Sequence, residues 1–180
     1  MYLRGLGDTT NSTVTLPFQV NKNNLYFIEV DFYFAQNSES GSYHHFMHNG
    51  DVWSVGGLIS NKNWNQFFSG NYMAYGPVLP YARATINMSN GVRTCYNTNN
   101  QSSSITRAFS SYTNTGSVRV LLCKTRAVKE IKVWNSAQTT LVYDFVPAYD
   151  SSNVACLHDI VNDQYYYSAN TLEIVSNPTK

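Results

Sequence analysis

Glu29 and Asp31 are one residue apart in the run Leu25-Tyr26-Phe27-Ile28-Glu29-Val30-Asp31-Phe32-Tyr33-Phe34. In an extended chain both carboxylates leave the backbone on the same side. Retaining hydrolysis of a glycoside needs two carboxyl groups about 5–5.5 Å apart, so this pair is the first candidate for proton chemistry. His44, His45 and His48 form the second group. On a strand His44 and His48 share a face and His45 turns away, so at most two imidazoles converge. Asp51 could join them, but zinc asks for three or four ligands. Ser, His and Asp all occur without a Gly-x-Ser-x-Gly to organise a nucleophile, and no phosphate-cradling glycine loop is present. Cys95, Cys123 and Cys156 show neither CxxC nor zinc spacing and are odd in number, so they read as free, mostly buried thiols of a chain folded under reducing conditions.

Binding chemistry is better represented. Between Asn49 and Tyr81 the sequence sets Trp53, Trp64, Phe67, Phe68, Tyr72, Tyr75 and Tyr81 among Asn, Gln and Ser. Aromatic faces shed water against the C–H surfaces of sugars while amides pair with hydroxyls. The same mixture suits a protein interface. Trp53, Trp64, Tyr72, Tyr75 and Asn49 are therefore the candidate residues for a glycan or a partner. Core packing is the alternative, above all for Trp53 and Tyr72 at alternating strand positions.

The elements that must hold these groups are strands. Charged residues supply 13% of the chain, about half the usual share, and polarity comes from Asn, Ser and Thr beside many aromatic and β-branched residues. In the run from Leu25 to Phe34, Tyr26, Ile28, Val30, Phe32 and Phe34 lie on one face at period two, opposite Glu29 and Asp31. A shorter strand is expected at Val14–Phe18. Others are expected at Tyr43–Met47, Val52–Leu58, Asn71–Tyr75, Ser117–Cys123, Glu130–Trp134, Thr140–Val146, Val154–Leu157 and Gln164–Tyr167. Arg83–Met88 and Val92–Tyr96 flank Ser89-Asn90-Gly91, whose Asn-Gly tolerates the positive φ of a tight turn, so they read as a hairpin. Asn61–Phe68 is ambiguous between strand and loop, and Asn97–Ser104 reads as a polar loop. Ten to twelve short strands without helical periodicity predict a two-sheet antiparallel sandwich or a barrel. No linker or repeat divides the chain, so one domain over residues 1–180 is expected, with an N-terminal arm over about 1–12 and a tail over about 172–180.

The formal net charge is +1 with no basic run, which predicts neither a nucleic-acid nor a membrane partner. No apolar stretch approaches the ~18 residues of a membrane span. Met1–Thr10 lacks the apolar core of a secretory signal, so export by that route is not expected.

The last third carries a cassette: Ile131-Lys132-Val133-Trp134-Asn135, then Leu141-Val142-Tyr143-Asp144-Phe145-Val146-Pro147, then Leu157-His158-Asp159-Ile160-Val161-Asn162-Asp163-Gln164-Tyr165-Tyr166. It resembles the C-terminal end of laminin-G-like, concanavalin-A-like jelly-roll modules, which are frequent in tail and fibre proteins of gut bacteriophages and in surface proteins of gut bacteria. The resemblance extends over about Thr85–Tyr167, and Cys156 departs from the small Gly that often stands there. Physically, Pro147 is expected to end its strand, and Asp159 and Asn162 to build the turn leading to Tyr165–Tyr167.

The resemblance implies an all-β jelly-roll sandwich that binds or builds rather than catalyses. Glucanases of this fold carry Glu-x-Asp-x-x-Glu, and here Phe34 occupies the place of the second Glu. Modules of this kind often bind calcium, for which Asp51, Asn49, Asp150 and Asn153 would supply oxygens. The function expected is that of a non-enzymatic virion structural or adhesion protein of a bacteriophage: a decoration, fibre or tail module. It would fold in the host cytoplasm, assemble as a homo-oligomer, and have other virion proteins or host surface polysaccharide as partners. The alternative is a carbohydrate-binding module on a bacterial cell surface.

Overall fold

A computed structural model describes residues 1–7, 12–20, 23–34, 43–48, 54–60, 63–68, 71–77, 81–97, 102–106 and 116–178, and over 54–77 it describes the backbone. Its strands, in chain order, begin with β1 (Tyr2–Gly5), β2 (Ser12–Gln19), β3 (Tyr26–Phe34), β4 (Tyr43–His48) and β5 (Ser54–Ser60). Next come β6 (Asn63–Phe68), β7 (Asn71–Pro77), β8 (Tyr81–Asn87), β9 (Val92–Asn97) and β10 (Ser102–Thr106). The last are β11 (Ser117–Leu122), β12 (Arg126–Asn135), β13 (Leu141–Tyr149), β14 (Ala155–Asp159), β15 (Gln164–Tyr166) and β16 (Leu172–Val175). No helix occurs among the described residues, and none there is long and apolar enough to cross a membrane.

The strands form two antiparallel sheets. The larger runs β10-β9-β8-β3-β12-β13-β14-β15, and the smaller runs β2-β11-β4-β5-β6-β7. The period-two face of β3 buries Ile28, Val30 and Phe32 against the inner sides of β2, β4 and β11, which contribute Val14, Leu16, Phe18, Phe46, Val118 and Val120. Phe32 of the larger sheet stacks on Phe46 of the smaller at 4.8 Å between ring centres. Phe18 stacks on Tyr143 and Phe145 across the same interior. The chain is thus an all-β sandwich held by two apolar sheet faces, as its alternating pattern predicts.

Several local expectations need correction. Pro147 does not end β13: it pairs with Leu157 inside the ladder. Asp150 N–H donates to Val154 O and Ile160 N–H to Asp144 O. Hydrogen-bonded pairs alternate along an antiparallel ladder, so Pro147 falls on a wide pair with its nitrogen turned from β14. On that other side, pairing with β12 has already stopped at Phe145. Ser102–Thr106, read partly as loop, is a strand paired with β9, and Asn63–Phe68 is a strand between β5 and β7.

The expected arm and tail contain strands that pair with each other. β1 lies between β12 and β16, Leu3 is fully buried, and Arg4 Nε donates to Glu173 Oε1 at 2.7 Å. β12 shares one edge between two partners, β1 at Ala127 and Val128 and β13 from Ile131 onward. The Asn-Gly hairpin forms between β8 and β9, with only Gly91 of its turn at positive φ, 74°. Asn87 Oδ1 accepts the N–H groups of Ser89 and Asn90 there.

Candidate functional site

The outward face of β3 carries Phe27, Glu29, Asp31 and Tyr33, and the antiparallel register fixes what meets each of them. Asp31 lies opposite Arg83 on β8 and Glu130 on β12; Glu29 lies opposite Thr85 and Lys132; Phe27 lies opposite Asn87 and Trp134. Tyr33 lies opposite Tyr81, whose ring is 5.3 Å away and touches Tyr2 in turn at 5.7 Å. A polar middle is therefore flanked by Tyr2, Tyr33 and Tyr81 at one end and by Phe27 and Trp134 at the other. The spread from Tyr33 to Phe27 is about 20 Å at the rise of an extended strand.

Glu130 reaches this face because β12 carries a bulge. The register shifts between Val128 and Glu130, with Val128 in the core opposite Phe32 and Glu130 opposite Asp31. Strict alternation from Val128 would send Glu130 inward; one extra residue, the exposed Lys129, turns it outward.

Glu29, Asp31, Arg83, Glu130 and Lys132 line a shallow depression of about 90 Å3. Its charges are largely matched. Arg83 grips Asp31 with two bonds, Nε to Oδ1 at 2.6 Å and Nη2 to Oδ2 at 2.8 Å. Lys132 Nζ meets Glu130 Oε1 at 2.9 Å, and the Trp134 indole N–H donates to Glu29 Oε2 at 3.0 Å. The bond to Asp31 raises the pKa of Arg83, and the bond to Glu130 raises that of Lys132. Arg83 keeps 54% of its side chain in water, so this pair contributes orientation more than stability.

Next to the depression, Asp144 pairs with Lys132 in register from β13. Only 5% of Asp144 is exposed, and its Oδ1 is buried without a hydrogen-bond partner. Burial pushes its pKa up, Glu130 and Asp159 push the same way, and Lys132 opposes them. Asp159, fully buried, is a structural carboxylate. It accepts the N–H groups of Asp144 and Val161 and the side-chain amide of Asn162, which also donates to Val142 O. These bonds tie the β14–β15 turn to β13, in keeping with the turn role expected of Asp159 and Asn162.

Of the residues expected to hold a glycan or partner, Asn49 and Trp53 lie outside the described residues. Trp64 is placed on β6 and Tyr72 and Tyr75 on β7 by their backbone alone, their side chains lying outside the description. Among the calcium candidates, Asp51 and Asn49 are outside it as well. Asp150 and Asn153 sit in the β13–β14 turn. Asp150 Oδ1 accepts the N–H groups of Ser152 and Val154, its Oδ2 accepts the Tyr167 hydroxyl at 2.9 Å, and Asn153 has φ 61°. Oδ1 of Asp150 thus serves the turn and Oδ2 ties it to Tyr167 beyond β15, a bond that raises the Tyr167 phenol to about 12. No group of three or more His, Cys, Asp or Glu suited to a metal occurs among the described residues. His44 and His45 are placed on β4 by backbone only.

Cys123 and Cys156 are buried and free, as expected, and burial pushes the Cys156 thiol up to about 11. Of the outer-face cluster, the sequence singles out only Glu29 and Asp31, and those as a hydrolytic motif without its second Glu. The cluster's other members had a signal: Glu130, Lys132 and Trp134 alternate with the core residues Ile131 and Val133. Neither the comparison with family models nor that with curated proteins finds a match for this chain.

Proposed function

We propose that this chain is a non-enzymatic adhesion or structural module of a bacteriophage virion, concanavalin-A-like in its jelly-roll kinship, that holds a host surface glycan on the outer face of its larger sheet. The observation that carries the reading is the depression between aromatic ends on the outer side of β8, β3 and β12. Sugars are bound by such mixtures: flat rings for C–H faces, and fixed charged and amide groups for hydroxyls.

The carboxylates there are held by donors. Asp31 spends both oxygens on Arg83, and Glu29 and Glu130 each spend one, on Trp134 and Lys132. Hydrolysis by the Glu29–Asp31 pair would need one carboxyl group free to move a proton and another free to attack or activate water; with both Asp31 oxygens on Arg83, that pair suits binding better than turnover. Cys123 and Cys156, the buried free thiols among the described residues, favour folding in a reducing compartment, which a virion protein made in the host cytoplasm has and an exported surface module lacks.

A glycan array probed with the wild-type chain and with Trp134→Ala, which loses both the ring and the donor to Glu29, tests the binding. The reading expects hits that the variant loses, and a blank array contradicts it. Proteomics of purified particles tests the setting, where absence of the chain from virions removes that part.

A further inference from the structure

The charges of the outer face are matched but not balanced: Glu29, Asp31 and Glu130 stand against Arg83 and Lys132. Glu29 accepts through Oε2 and Glu130 through Oε1, and the second oxygen of each has no hydrogen bond described. Asp144 adds a fourth carboxyl group on the same face. It lies in register with Lys132, is almost wholly buried, and its Oδ1 has no partner. A buried carboxylate oxygen without a donor is costly, so the excess of acceptors in the depression continues into its neighbour on β13. An acidic sugar would meet this excess as repulsion, and a neutral one would leave it uncompensated. A cationic group would relieve it, with the rings of Trp134 and Phe27 next to Glu29 offering faces on which an amine and its sugar ring rest.

We infer that the glycan held on this face carries protonated amines, as an oligosaccharide of unacetylated amino sugars does, with an ammonium group seated between Glu29 and Glu130. The inference rests on the glycan-binding reading above and names the class of sugar. Lys132 is then the competitor already in place: its ammonium occupies Glu130 Oε1 in the free protein. Replacing Lys132 by a neutral residue removes the competing cation and strengthens the binding of an amine, whereas neutralising Glu130 weakens it. Opposite responses of two neighbours on one strand separate this account from a general loss of folding.

Titration calorimetry at a pH where the sugar amine is protonated, with tetramers of glucosamine, N-acetylglucosamine and galacturonic acid, tests it. The glucosamine tetramer is expected to bind about tenfold more tightly than its N-acetylated counterpart, the difference one charge-assisted hydrogen bond supplies. Lys132→Gln is expected to tighten that binding and Glu130→Gln to weaken it. Equal or tighter binding of the N-acetylated or acidic tetramer overturns the inference and leaves the glycan reading standing. So does weaker amine binding in Lys132→Gln. Failure of all three tetramers to bind overturns the inference too, and the glycan reading falls with it only if the array is also blank.

Discussion

The indole N–H of Trp134 donates to Glu29 Oε2 at 3.0 Å across the β3–β12 pair, joining side chains 105 positions apart in the chain. The bond fixes the carboxylate at one end of the outer-face depression and the aromatic ring beside it. Trp134→Phe keeps most of the ring and removes the donor. It is expected to cost about 1 kcal/mol of stability, the net worth of one such bond, read from the midpoint of urea unfolding. An unchanged midpoint would show that the bond contributes nothing.

Gly5 is placed where no side chain fits. A Cβ there would stand 2.8 Å from Leu122 O and 2.8 Å from Ser12 Oγ. Leu122 O is backbone and cannot swing away, so β1 would have to shift from its place between β12 and β16. Gly5→Ala is expected to lower stability by about 1–3 kcal/mol, the usual cost of overpacking, measured by thermal or urea unfolding. A variant as stable as the parent would show that the terminal strands yield freely.

Asp159 organises the end of the cassette. Asp159→Ala would strip the acceptor from the N–H groups of Asp144 and Val161 and from the Asn162 amide. With a buried donor left unsatisfied, a loss of about 2–4 kcal/mol is expected, together with faster amide hydrogen exchange at Asp144 and Val161. Exchange that stays slow at both amides would contradict the role.

The strand pattern of the core was legible because period two and burial coincide: Ile28, Val30 and Phe32 are apolar and inward, Glu29 and Asp31 polar and outward. The site was much less so. Arg83 reaches Asp31 over 52 positions and Trp134 reaches Glu29 over 105, and a register between distant strands leaves no mark on local sequence. Glu130, Lys132 and Trp134 do alternate with Ile131 and Val133, but the bulge at Lys129 breaks that alternation with Val128, so the strand's two halves do not read as one. β1 and β16 are four residues each, too short for a period to show. Pro147 misled because the rule against proline in a ladder spares wide pairs at a strand whose other neighbour has ended.

Asp144 should make stability depend on pH in a direction opposite to that of a salt-bridged carboxylate. Its folded pKa lies above the ordinary value, so the folded state holds the proton more tightly than the unfolded chain. Its contribution is therefore complete at acid pH and is lost as pH rises through the raised value. Asp144→Asn cannot titrate. Its unfolding free energy relative to the parent is expected to increase as pH rises from the ordinary aspartate value through the raised one. A difference that stays flat or falls with pH would show that the carboxyl carries no burial penalty.

The proposed glycan sits on the outer face of β8, β3 and β12. The most direct measurement is a titration of the isotope-labelled protein with a bound oligosaccharide, followed through backbone amide and indole N–H resonances. The prediction is that the largest shifts cluster at Glu29, Asp31, Arg83, Glu130 and Lys132 and at the Trp134 indole. Saturable shifts that leave these resonances in place and gather elsewhere would contradict it.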